Sequence, residues 1–267
     1  MVRANGIDLY YEVSGGGPAI LGIHGTPSSA VLWEAAAQKL AGLGRCIIYD
    51  RRGFGRSERP VPFNATDLSE HVDDAVAIID KLAATPATII GRSTGGLIAL
   101  GLAHHYPETV RALVLLEPAF FEIDPEAAAW ANALRRKILE AAEDDPESAS
   151  EFVIREALGV ETWNSLPDDF RALFVAASPA VLAEMRGQGL DLSEHPLQLR
   201  SDQIASISQP TLLISAKDSP DALRRVNAGL AAILPHVDHV LVAGGHLIDP
   251  AHPHVMEFLS GVLGPAH

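Results

Sequence analysis

Six apolar runs of strand length punctuate the chain: Ala19 to His24, Cys46 to Asp50, Ala87 to Gly91, Ala112 to Glu117, Thr211 to Ser215 and His239 to Ala243. None alternates apolar with polar residues as a strand with one wet face does, so each is expected to be covered on both sides, as in a parallel sheet. Between the runs the period changes. Leu68, Val72, Ala75, Val76, Ile79 and Leu82 fall on one helical stripe, and Asp67 with Glu70 has the spacing of a capping box. Alternation of strand and helix predicts an α/β fold with a doubly wound sheet. Ahead of the first run, Asn5-Gly6 offers the positive φ angles of a two-residue hairpin turn.

The strand rhythm stops between Pro118 and Ser206. Three dipeptides in that interval, Asp124-Pro125, Asp145-Pro146 and Ser178-Pro179, combine an N-cap oxygen with a proline at the first helical position, where its missing N–H costs nothing. Ser219-Pro220 and Asp249-Pro250 repeat the pattern further on. The interval therefore reads as an all-helical insertion with Gly159 and Gly187 as helix stops. Residues 1–118 and 207–267 are expected to form one core domain and residues 119–206 a helical cap.

Composition narrows the partners. Nearly half of the 267 residues are hydrophobic and a fifth are charged, the balance of a globular protein. A formal charge of -14 repels phosphate backbones and anionic head groups, which argues against nucleic acid and membrane surfaces. No stretch approaches the roughly 18 apolar residues of a membrane span and no apolar segment follows a basic patch at the start, so the expectation is a cytoplasmic, unanchored protein. The single cysteine, Cys46, lies in an apolar run and reads as core filling.

One apolar run is broken by chemistry. In "IIGRSTGGLIAL", Ser93 lies between a strand end and a helix start, and Gly91, Ser93 and Gly95 match the G-x-S-x-G nucleophile elbow. Glycine is needed on both sides because a Cβ would collide with the adjoining strand or helix. A serine hydroxyl requires a base, and the base an acid that fixes its tautomer. His246 follows the last apolar run, and Asp218 follows the run Thr211 to Ser215, so both lie where reacting groups collect at the carboxyl ends of parallel strands. The N–H of Thr94, at the start of the helix, is a first donor to an oxyanion. No histidine combines metal-ligand spacing with carboxylates, so no metal is expected.

With "HGTP" at His24 to Pro27, "YDRRGFGRS" at Tyr49 to Ser57, "GRSTGG" at Gly91 to Gly96, "SAKD" ending at Asp218 and "GGH" ending at His246, the chain resembles the α/β-hydrolase fold family. The resemblance implies an eight-stranded, mostly parallel sheet with its second strand antiparallel, and a cap inserted over residues 119–206. It also implies a second oxyanion donor at the Thr26 N–H. Glu117 occupies a position from which some members supply the acid; Asp218 is preferred because it precedes a helix start at Ser219-Pro220. The chain departs from the usual pattern at Arg92, where an uncharged residue or histidine is commoner. An ion pair on the sheet rim is the expected fate of that cation.

The resulting expectation is a cofactor-free serine hydrolase that cleaves a small, fairly apolar ester or lactone through an acyl-enzyme on Ser93. Epoxide hydrolase and dehalogenase chemistry are closed because both use an aspartate where this chain has serine. Carbon-carbon bond hydrolysis, perhydrolase or haloperoxidase activity, and a ligand receptor with slow turnover use the same three residues and stay open. Seven of the eleven Phe and Trp residues fall in the cap, and Phe120 and Phe121, directly after a strand, are the substrate-binding candidates.

Overall fold

A computed structural model describes residues 1–264. Its strands are β1 Val2–Ala4, β2 Ile7–Leu9, β3 Tyr11–Ser14, β4 Ala19–Ile23, β5 Arg45–Tyr49, β6 Ala87–Arg92, β7 Val110–Leu116, β8 Gln188–Gly189, β9 His195–Pro196, β10 Thr211–Ala216 and β11 Val237–Val242. Its helices are α1 Glu34–Leu40, α2 Leu68–Lys81, α3 Thr94–His105, α4 Pro125–Asp144, α5 Ala149–Leu158, α6 Val160–Ser165, α7 Asp168–Val175, α8 Ser178–Arg186, α9 Ser201–Ala205, α10 Asp221–Ile233 and α11 Pro253–Leu263.

All six apolar runs are strands of one sheet, ordered β11-β10-β7-β6-β4-β5-β3. Every pairing is parallel except β3 with β5. The main sheet has seven strands rather than the expected eight. The first two strands pair only with each other around Asn5 (φ 44°) and Gly6 (φ 82°). Their remaining backbone groups are satisfied by a loop instead of a ladder: the Asp8 N–H donates to Glu58 Oε2 at 2.8 Å, and the Tyr10 N–H to Ser57 Oγ at 2.9 Å.

Central strands β4 and β6 are buried at every position because helices cover both faces. Side chains of α2, α3 and α10 pack on one face, and those of α1 and α11 on the other. The first of these apolar clusters runs on without a break into α4, α5 and α8, so the insertion shares the core of the sheet. Burial of this much apolar surface is the main stabilising term. Cys46 is part of the opposite cluster, and burial pushes its thiol up to about 12.

Between β7 and β10 the chain is helical but for one short parallel pairing, β8 with β9, which departs from an all-helical insertion. Asp124 caps α4 through the N–H groups of Glu126 and Ala127, both at 2.9 Å. Gly159 ends α5 at φ 92°, and Gly187 ends α8. Ser178 is not an N-cap: it lies inside α8, where its buried Oγ accepts the Ser150 N–H at 3.1 Å and so ties α8 to α5.

Candidate active site

The segment 89–100 folds as its composition requires. β6 ends at Arg92, α3 begins at Thr94, and Ser93 alone makes the turn at φ 54° and ψ -122°. Such a conformation is strained for a residue with a side chain, at roughly 1–3 kcal/mol, and persists only where its surroundings fix it. Here they do. The Ser93 N–H donates to Leu116 O, and its carbonyl accepts the N–H groups of Gly96 and Ala119 at 2.8 and 3.0 Å. A Cβ on Gly91 would overlap the Gly95 carbonyl, and one on Gly95 would overlap that of Ile23, so strand and helix could not close around the serine with larger residues.

His246 lies in the loop after β11 and is 6% exposed. Its Nδ1 donates to Glu117 Oε2 at 2.8 Å. The expected partner, Asp218, does not hold the imidazole. Backbone pairing continues past β10, with the Lys217 N–H on Val242 O and the Asp218 N–H on Gly244 O, and this carries Asp218 to the surface as an exposed residue. It lines an outer recess of about 310 Å³ with Gly245, His246 and Leu247. Glu117 is fully buried at the end of β7. Its Oε1 accepts the Ala216 N–H at 2.8 Å, and its Oε2 accepts the Ser219 hydroxyl at 2.7 Å as well as the imidazole. Three donors on one carboxylate hold it in one place and orientation. Ser219 is thus a partner of the carboxylate rather than a helix cap, and the N-cap of α10 is Pro220.

Thr26 and Thr94 flank the serine from two elements. Thr94 opens α3, so its N–H has no acceptor within the helix. Thr26 follows β4, and its hydroxyl accepts from Arg51 Nη2 at 2.6 Å while donating to Glu184 Oε2 at 2.7 Å. Arg51 is fully buried and also reaches Glu184 Oε1 at 2.5 Å, so an ion pair bolts α8 onto the loop that carries Thr26. His24 accepts the Arg51 N–H on Nε2 at 2.9 Å and turns Nδ1 toward Gly25 O at 2.8 Å. That tautomer is neutral. Burial first, then Arg51, holds the His24 ring well below the ordinary imidazole range. Asp50 shapes the neighbouring loop, accepting the Ala30 and Arg56 N–H groups at 2.6 and 2.8 Å.

Two small chambers, each about 30 Å³, meet at Ser93, and both are walled by Thr26, Ala157 and His246. Ser28, Leu32, Ile154, Leu158, Phe174 and Arg92 are among the walls of the first, with Leu247. Phe121, Trp130, Leu134, Val153, Leu223 and Asp191 are among the walls of the second. Phe121 therefore lines the site, its ring 5.4 Å from that of Trp130. Phe120 does not wall either chamber; it is 2% exposed and packs in the core. Sequence reasoning missed Asp191, a cap carboxyl that burial pushes up to about 7, with Glu184 adding to the rise and the Thr94 hydroxyl opposing it. It is one acid in the polar interval "DLSEH", and nothing local marks it. Arg92 also departs from expectation. It is 6% exposed and forms no ion pair among the described residues.

Among the described residues no group of three or more His, Cys, Asp or Glu side chains is placed to hold a metal, and no helix is long and apolar enough to cross a membrane. The family model described as alpha/beta hydrolase fold matches residues 18–249. Over 122 residues the chain is 33% identical to YraK of Bacillus subtilis, an uncharacterized hydrolase, covering 46% of this chain and 45% of that one; less than half of that relative's length is matched. It is 28% identical over 271 residues to the putative carbamate hydrolase RutD of Azorhizobium caulinodans, covering 96% of this chain and 95% of that one. The solved structure of a thermophilic esterase from Thermogutta terrifontis superimposes with a TM-score of 0.76 at 23% identity over 97% of this chain and 95% of that one, a likeness of fold.

Proposed function

The chain belongs to the α/β-hydrolase fold family, and we propose that it is a hydrolase that cleaves a carboxylic ester or lactone through an acyl-enzyme on Ser93, a reading its relatives support. One observation carries this reading: the imidazole that shares two chambers with Ser93 is held on its far nitrogen by a buried carboxylate at 2.8 Å. With Nδ1 committed as a donor to Glu117, Nε2 keeps its lone pair, and an imidazole in that tautomer is a base toward a hydroxyl.

In the proposed first step Ser93 Oγ attacks the acyl carbon while its proton passes to His246 Nε2. The carbonyl π electrons move onto oxygen, where the Thr26 and Thr94 N–H groups stabilise the charge. Loss of one such donor typically costs about 3 kcal/mol of transition-state stabilisation. Collapse breaks the bond to the alkoxy oxygen, which leaves with the proton from His246. Water then repeats the attack, its proton moving to His246 and on to Ser93 Oγ as the acid departs. Throughout, Glu117 orients the His246 ring through Nδ1 and stabilises the imidazolium.

The test uses 4-nitrophenyl acetate and a fluorophosphonate probe. Wild type is expected to release nitrophenol with turnover and to gain the phosphonyl mass on Ser93; Ser93→Ala is expected to do neither. Equal release by the two proteins, or a probe adduct elsewhere, overturns the reading.

A further inference from the structure

Three arginines are buried among the described residues. Two are neutralised: Arg51 by Glu184 at 2.5 Å, and Arg52 by Asp74 at 2.7 Å and Glu70 at 2.6 Å. Arg92 is the exception. Its guanidinium lies over the Trp33 ring, 5.6 Å from the centroid, and among the described residues no salt bridge or side-chain hydrogen bond neutralises it. The carboxylate that acts on it through space, Asp249, is already engaged by Lys39 Nζ at 3.1 Å and by the Ala251 N–H at 2.9 Å. Burial draws the Arg92 guanidinium down to about 10, so it is still a cation at neutral pH. A buried charge without a partner is costly, and folded proteins normally pair it. This one lines a chamber whose other walls include Leu32, Ile154, Leu158, Phe174 and Leu247 together with the polar Thr26 and Ser28, directly beside Ser93 and His246.

We infer that Arg92 is the specificity-determining residue of the site and that the substrate is an ester or lactone bearing a carboxylate, which enters this chamber and neutralises the guanidinium. The inference rests on the Ser93 hydrolase reading for the word ester; the anion site itself does not. A carboxylate is favoured over a phosphate monoester for two reasons. The planar guanidinium fork matches a carboxylate with two parallel hydrogen bonds. A single cation in a mostly apolar chamber of about 30 Å³ also balances one negative charge, whereas a phosphate would leave a second charge buried. The two substituents of a carbonyl held at Ser93 diverge, so one enters the Arg92 chamber and the other the chamber of Phe121 and Trp130.

Matched chromogenic esters test this and reveal which side of the ester bears the charge. Mono-4-nitrophenyl succinate against 4-nitrophenyl valerate places the carboxylate on the acyl side; 4-acetoxy-3-nitrobenzoate against 2-nitrophenyl acetate places it on the leaving group. Wild type is expected to show at least a tenfold higher kcat/KM for the anionic member of one pair. In Arg92→Gln that ratio is expected to fall to one or below, chiefly through KM, and Arg92→Lys is expected to retain part of it. Preference for the neutral ester in both pairs, or an anionic preference that survives Arg92→Gln, overturns the proposal. If wild type turns over no ester and takes no phosphonate, the hydrolase reading fails by itself, and anion binding is read from the melting temperature. Monomethyl succinate, but not dimethyl succinate, is then expected to raise it; equal shifts overturn the proposal. The same wild-type pair of measurements decides the matter if Arg92→Gln does not fold.

Discussion

At the end of β7 the backbone of Glu117 enters the left-handed region at φ 47°, as that of Ser93 does at φ 54°. Two strained residues side by side, joined to neighbouring strands through Ile214 O and Leu116 O, hold the carboxylate and the hydroxyl in fixed relation to His246. Glu117→Gln keeps the shape but removes the charge that stabilises an imidazolium, and an amide can present the wrong group to Nδ1. A fall of about 10⁴-fold in kcat is expected, the magnitude seen when the acid of a serine triad becomes an amide. Asp218→Asn is expected to stay within about threefold, since its exposed carboxylate holds nothing; steady-state kinetics on one ester settles both. The sequence misled here for a physical reason. Asp218 and Glu117 both follow apolar strands, but backbone pairing beyond β10 is invisible in composition, so the reading favoured the acid beside a Ser-Pro pair. The clue was Glu117 itself: an acid closing a run with no basic residue near it demands buried donors, and Ser219 is one of them. Ser93 and His246 were legible because an elbow and a terminal Gly-Gly-His are local patterns. Asp191 and the solitude of Arg92 were not, because both depend on how the insertion lies over the sheet.

Strands and elbow are the elements that position this chemistry, and their tolerance differs from that of the insertion. Gly95→Ala drives a methyl into the Ile23 carbonyl, which belongs to a central strand and cannot yield cheaply. A loss of about 1–3 kcal/mol in urea denaturation is expected, together with loss of activity, because the strain is relieved at the elbow. Glu184 acts at longer range. It is 4% exposed in α8 and binds both Arg51 and Thr26, so Glu184→Ala strands a buried guanidinium and frees the loop of one oxyanion donor. About 3–5 kcal/mol of stability is expected to go with it. A variant as stable as wild type would show that water replaces the carboxylate. Every apolar run became a strand, and those in the interior of the sheet lie between two layers; β11 departs from that expectation, because it stands at the sheet edge and leaves His239 and Leu241 exposed. The eighth strand failed because the first nine residues satisfy each other and the 57–58 loop. Proline pairs marked α4 well, yet Asp249-Pro250 stands ahead of the α11 start at Pro253, where His252 is the N-cap. A Ser-Pro or Asp-Pro pair shows that a turn begins, not which group its oxygen serves.

Over the whole molecule, protons link stability to the buried His24 and His71 and to the half-buried Asp191 with opposite signs. His24 and His71 are held neutral, both well below the ordinary imidazole value, first by burial and then by the charge of Arg51. Their unfolded forms gain protons below about pH 6.5 while the folded forms do not, so stability present above that pH is lost on acidification. Asp191 works the other way. Its folded carboxyl titrates at about 7, above the unfolded value of about 3.9, so between those limits the folded state holds the extra proton and stability falls as pH rises. At pH 5.5 the two histidines leave the extra protons on the unfolded state, whereas Asp191 leaves about one on the folded state, so their contributions to the slope of stability with pH oppose each other there. His104, His239 and His252 are also lowered by burial and add to that slope, while Asp74, raised by burial, opposes it. Asp191→Asn deletes the opposing proton and is expected to steepen the slope near pH 5.5 by about 1.3 kcal/mol per pH unit. The variant's advantage over wild type should open between about pH 4 and 7 and stay constant above. Urea midpoints measured across that range give both curves. Parallel curves would mean that Asp191 titrates as it does in water, and that the chamber beside Ser93 is as wet as the surface.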